Sequence, residues 1–154
     1  MKVKTRIFGE VDIAEEKVLA FDNGIIGLED MKKFVLLYDS EKGEGDTITW
    51  LQSLDEADFA IPVINPYIVK QDYNPMVEDE MMASLGDLNP EDLMVFTTIK
   101  VPADITQMTV NFKAPIIIHA KTRKGCQIIA ENDDYLVRQP VYEELKNAKE
   151  RAGE

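Results

Sequence analysis

The chain has 154 residues, 45% apolar and 30% charged, which is one domain's worth of sequence with enough apolar content for an ordinary core. Seventeen Lys and Arg against 29 Asp and Glu leave a net charge of -12. That balance disfavours direct nucleic-acid binding, which depends on Lys and Arg displacing counterions, and equally disfavours anionic membranes. The lone cysteine, Cys126, excludes an intramolecular disulfide and a multi-cysteine zinc site.

Taken in chain order, the dominant pattern is short strands. The N-terminus carries Lys2, Lys4 and Arg6 with no apolar run behind them, so it is not a secretory signal. No later run, Ile116-Ile117-Ile118 included, approaches a bilayer span, and a cytoplasmic chain is expected. Val3, Thr5 and Ile7 alternate with charged residues as a half-buried strand does. Lys17 to Phe21 and Phe34 to Tyr38 are apolar runs of strand length, punctuated between by Asn23-Gly24 and Gly27. Ser40 to Asp46 reads as a solvated loop. Ile48 to Leu54 and Phe59 to Ile64 follow as strands, with Pro62 pointing to an edge or a bulge in the second.

Helical signals are few. Glu78-Asp79-Glu80 opens a segment that closes at Gly86, acids suiting a helix start and glycine its end. Asn89-Pro90-Glu91-Asp92 has a capping Asn and then Pro at the first helical position, enough for a single turn. Strands are then expected over Leu93 to Lys100, Met108 to Phe112, Pro115 to Lys121 and Cys126 to Ala130. Pro140 opens a last helix with Val141, Leu145 and Ala148 on one face. The expected fold is mainly β: a small antiparallel β-barrel-like single domain over 1–154, with a few short helices. Its β core covers about 3–138 and its C-terminal helix about 140–151.

Chemistry has few candidates. A two-residue hairpin loop at Arg123-Lys124 would pair Lys121 with Cys126 and His119 with Ile128, making His119 and Cys126 diagonal neighbours. The pair reads either as a thiol centre or as a buried thiol beside an ordinary strand histidine, and nothing near Cys126 stabilises a thiolate. Glu78-Asp79-Glu80 and Glu131 to Asp134 lack the spaced ligands of a calcium loop, so a solvated helix start and an acidic turn describe them. Phosphate-loop, dinucleotide and zinc-protease motifs are absent, and no cofactor is implied. No two carboxylates stand out as a hydrolytic pair. Trp50, Tyr67 and Tyr73, by contrast, are side chains enriched in protein interfaces, and Met76, Met81 and Met82 are adaptable apolar surface. Core packing is the competing role for each of them.

Several blocks together carry a resemblance. Trp50-Leu51-Gln52-Ser53-Leu54-Asp55, then Phe59-Ala60-Ile61-Pro62-Val63, Pro66 and Asp72-Tyr73, resemble the central signature of the flagellar assembly factor FliW family. So do Val110 to Ile118, Arg123 to Ile129 and Tyr135. The similarity covers about residues 3 to 145. Two departures stand out: the family's Gly-x-Pro-Gly-Phe is here Gly24-Ile25-Ile26-Gly27-Leu28, and its common Asn is here His119. Both glycines are present, so the turn is expected to be kept.

The resemblance implies a compact β-barrel-like fold, no catalysis, and two alternative protein partners: flagellin, and CsrA, the small RNA-binding regulator that blocks flagellin translation. Exported flagellin would free the protein to antagonise CsrA allosterically. Both partners would offer short elements, so a groove or sheet edge near Pro62 to Pro66 is the expected receptor. It would involve Ile64, Asn65, Tyr67 and Tyr73, with Met81 and Met82 at the rim. Glu78, Asp79 and Glu80 would add repulsion of RNA phosphates, effective over about 8 Å at physiological salt.

Overall fold

Alternation and turn chemistry lay down an antiparallel architecture. The computed structural model describes residues 1–37 and 48–152. The expected loop Ser40 to Asp46, and Tyr38 before it, lie outside the described residues. Strands β1 (Lys2–Lys4) and β2 (Glu10–Asp12) form a hairpin of their own. The larger sheet begins with β3 (Leu19–Ala20), β4 (Lys33–Leu37), β5 (Ile48–Ser53) and β6 (Ala60–Ile64). It continues with β7 (Leu93–Lys100), β8 (Thr109–Val110), β9 (Ile116–His119), β10 (Gly125–Gln127) and β11 (Gln139–Pro140). Its order is β10-β9-β7-β6-β5-β4-β3, with β8 beside β7 and β11 beside β8.

The sheet curls until its two edges touch. Ala20 of β3 meets Lys124, just before β10, in one parallel bridge, and the Ala20 N–H donates to the Arg123 carbonyl at 2.8 Å. One bridge is not a ladder, so the barrel-like sheet stays open at this seam. Packing explains the unbroken apolar run of β9: Ile116 and Ile118 face one core cluster with Phe21, Phe34 and Leu51, while Ile117 faces another with Met82, Leu85 and Cys126. A strand buried on both faces does not alternate. A third cluster gathers Ile64, Tyr73, Phe112 and Tyr135 with Val141 and Leu145 from the C-terminal helix α1 (Tyr142–Ala152).

Local chemistry sets the remaining boundaries. Pro62 sits inside β6 rather than in an edge strand. It lies opposite Trp50 of β5, while the ladder from β6 to β7 comprises only Val63–Thr98 and Ile64–Thr97, so its missing N–H removes no bond to β7. The predicted helix after Glu78 forms as a 3-10 segment, Asp79–Leu85, ended by Gly86 at φ 99°. Side chains three apart eclipse in that helix, which sends Met82 and Leu85 together into the core. Pro140 belongs to β11, opposite Thr109, and does not open the helix; the Val141 carbonyl accepts the helix-starting bond from the Leu145 N–H. Among the described residues, no helix is long and apolar enough to cross a membrane.

The glycine turn is kept. The Leu28 N–H donates to the Ile25 carbonyl at 2.7 Å, with Gly27 at φ 86° in the third position. That is the geometry of a type II turn, which favours glycine there and accepts proline in the position Ile26 fills.

Candidate functional site

The structure separates the expected docking residues. Ile64 (0% exposed), Tyr73 (3%) and Met82 (8%) are core, because each closes a cluster from within. Tyr73 stacks on Tyr135 at 5.0 Å between ring centroids, and its hydroxyl donates to the Phe112 carbonyl at 2.7 Å. Burial pushes its phenol well above the ordinary range, with Tyr135 adding to the shift. Glu78, Asp79 and Glu80 are exposed at the start of the 3-10 segment. Met81 lies in that segment, with its side chain outside those described. Asn65 and Tyr67 are exposed and adjacent to an open groove.

Asn65 and Pro66 make that groove. The Asn65 side chain accepts from the Tyr67 N–H at 3.0 Å, and Pro66 opens the 3-10 turn Pro66–Ile68. Together they swing the chain off the sheet immediately after Ile64. Strand β7, however, continues alongside for four more residues, Leu93 to Phe96, which pair only with β9. The gap is a hollow of about 500 Å³ lined by Asn65, Tyr67, Pro90 and Leu93 to Phe96. Met94 also lines a second hollow of about 580 Å³ whose walls include Leu19, Val35, Leu37 and Ala120.

Backbone polarity along this edge follows from alternation. The Thr98 carbonyl accepts from the Asn111 N–H and the Asp92 carbonyl from the Ala120 N–H, so even-numbered residues turn their backbone groups towards β8 and β9. Odd-numbered Leu93, Val95 and Thr97 turn theirs to the β6 side. Thr97 meets Ile64 there, and the Leu93 N–H is taken by the Pro90 carbonyl. That leaves the Val95 N–H, the Val95 carbonyl and the Leu93 carbonyl facing the groove with no backbone partner among the described residues. The sequence contained a signal for this edge: an eight-residue strand beside one that Asn65-Pro66 cuts short.

The thiol–imidazole geometry is not that of an activated pair. The register is Gly125–Ile118 and Cys126–Ile117, not Cys126 with Lys121, because the loop is longer than two residues. It closes on His119: the Arg123 N–H donates to its carbonyl, and its ring Nδ1 accepts from the Lys121 and Thr122 N–H groups. With Nδ1 accepting, Nε2 carries the proton and donates to the Asp87 carbonyl at 2.8 Å. Both ring nitrogens are committed to backbone. Burial pushes the Cys126 thiol up to about 11, the opposite of thiolate activation. Among the described residues, no three His, Cys, Asp or Glu side chains converge on a metal-sized site.

Comparison with known proteins decides the family. The model of the family described as FliW protein matches residues 2–141. The chain belongs to the FliW family. It is 48% identical to the flagellar assembly factor FliW of Lachnoclostridium phytofermentans, over 100% of this chain and 99% of that one. It is 50% identical to that of Lachnospira eligens, over 95% and 97%. A crystal structure of the flagellar assembly factor FliW superposes with a TM-score of 0.83 at 26% identity, covering 92% of this chain and 96% of the other.

The blocks that resemble FliW are scaffold here. Gln52 is buried; its Oε1 accepts from the Arg6 N–H, and its Nε2 donates to the Ser53 and Ala57 carbonyls. Ser53 Oγ accepts from the Asp55 and Glu56 N–H groups, and Asp55 Oδ2 from those of Lys32 and Lys33. Asn111 Oδ1 holds the Lys113 and Ala114 N–H groups at the bend between β8 and β9. Gln127 ties the glycine turn to the sheet, accepting from the Ile26 N–H and donating to the Ala114 carbonyl. These polar side chains satisfy backbone at turns and bends, as a curled sheet requires.

Proposed function

We propose that this chain is a regulatory binding protein of flagellum assembly that captures flagellin and, when flagellin is scarce, the RNA-binding regulator CsrA. Held by this protein, CsrA is antagonised allosterically and releases flagellin mRNA; held by flagellin, the protein leaves CsrA free to repress. Translation of the filament subunit is thereby matched to its export. The protein works in the cytoplasm as one domain over residues 1–154, and no bond is made or broken.

One observation carries this reading: family membership along the full chain, with relatives named flagellar assembly factors at 48–50% identity. Composition supports it. A body at -12 speeds encounter with a basic regulator and repels the RNA backbone when docked close to it. The committed imidazole and protonated thiol support a binder rather than a thiol enzyme. The test is size-exclusion chromatography of the purified chain with flagellin and, separately, with CsrA. Co-elution with each is expected, and retention of neither would reject the proposal.

A further inference from the structure

The groove beside β7 is more specific than an apolar hollow. Its floor exposes one donor and two acceptors of a strand: the Val95 N–H and carbonyl and the Leu93 carbonyl, all on one side. Groups spaced in that way are complemented in full only by another extended backbone. β6 supplies such a backbone up to Ile64 and then leaves, so the missing strand would continue its line between β7 and the Asn65–Tyr67 turn.

We propose that this open edge of β7 binds an extended segment of the partner polypeptide as an added strand, with the segment's basic end beside Pro90. Four residues, Leu93 to Phe96, span about 10 Å at 3.4 Å per residue, so the docked core is about four residues long. Side chains of an added strand alternate between faces, and the walls are mainly apolar, so apolar residues at every second position fit. Charge sets the direction. Glu91, next in the chain after Pro90, is exposed and in no ion pair among the described residues, whereas Asp92 already faces Lys121 at 3.6 Å. No Lys or Arg lines this groove.

The partner's identity rests on the proposed function, and the experiment keeps the two apart. Residue-resolved amide exchange is measured by NMR on the full chain alone, and then saturated with flagellin or with CsrA. The Val95 amide, without a backbone partner among the described residues, should exchange at least tenfold more slowly in a complex. A complex that leaves Val95 exchange unchanged overturns the added strand while sparing the proposed function. Binding of neither partner removes both. Protection of Val95 in the chain alone, at twice the monomer mass, assigns the edge to a second copy and also overturns the proposal. Val95→Pro deletes the donor at a position with no ladder bond from its N–H and should weaken binding at least tenfold. The exchange measurement on the unaltered protein stands even where that variant folds poorly. Glu91→Gln should weaken binding severalfold at low salt and leave it unchanged at high salt; equal weakening at both contradicts the proposed orientation.

Discussion

Two tyrosines six positions apart should behave oppositely on truncation. Tyr73 is 3% exposed, stacked on Tyr135 and tilted against Phe112 at 5.1 Å between centroids. Removing a buried aromatic ring costs about 3–5 kcal/mol. For a chain of this size each kcal/mol moves Tm by roughly 2–4 °C, so Tyr73→Ala should lower Tm by roughly 6–20 °C. Tyr73→Phe keeps the ring and orphans the Phe112 carbonyl, a loss of about 1–2 kcal/mol. Tyr67 is 41% exposed and touches Tyr73 only edge-on at 6.0 Å. Tyr67→Ala should therefore cost under about 1 kcal/mol in stability. As an aromatic at the rim of the groove, it should weaken partner binding by about 2 kcal/mol, close to thirtyfold. Differential scanning calorimetry and isothermal titration with flagellin read the two axes. A Tyr67→Ala Tm loss as large as that of Tyr73→Ala, or an unchanged affinity, would refute the assignment of one ring to the core and the other to the docking rim.

A Cβ at Gly125 would lie 2.5 and 2.6 Å from Phe21 ring atoms, so Gly125→Ala should destabilise by about 1–3 kcal/mol in urea unfolding. With its pKa at about 11, Cys126 is about a thousandth thiolate at pH 8, so alkylation should run about two hundredfold slower than for a free cysteine, whose pKa is about 8.5. The same shift makes stability fall with alkali. The unfolded thiol ionises first, so the contribution, at most about 3 kcal/mol, is intact below pH 8.5 and lost as pH rises through 11. Cys126→Ser should leave partner binding unchanged by titration calorimetry. Neutralising Glu78, Asp79 and Glu80 together should slow CsrA association severalfold at low salt, with the difference gone at about 0.5 M salt in stopped-flow traces.

The strands were legible in the sequence wherever one local rule governed them. Leu93–Lys100 is the predicted strand residue for residue, and the Asn89-Pro90 turn caps as expected, Asn89 accepting from the Glu91 N–H at 3.3 Å. Tertiary effects account for the differences. Tyr73 and Met82 have the side chains of an interface, and only the packing of distant strands onto them reveals core. The hairpin register was hidden because His119 serves as the backbone acceptor of its own loop, a role that residue type does not announce. Asn65-Pro66 marks in the sequence where β6 ends, but the open edge of β7 beside it belongs to no motif. It arises from one strand outlasting its neighbour, and the sequence shows the two lengths about 30 residues apart without showing that the strands adjoin.

In the proposed function one protein holds either of two partners and never both. Fluorescently labelled CsrA bound to this chain, titrated with unlabelled flagellin and followed by anisotropy, tests it most directly. Complete release of CsrA is expected as flagellin saturates the chain. A stable assembly retaining both would contradict it.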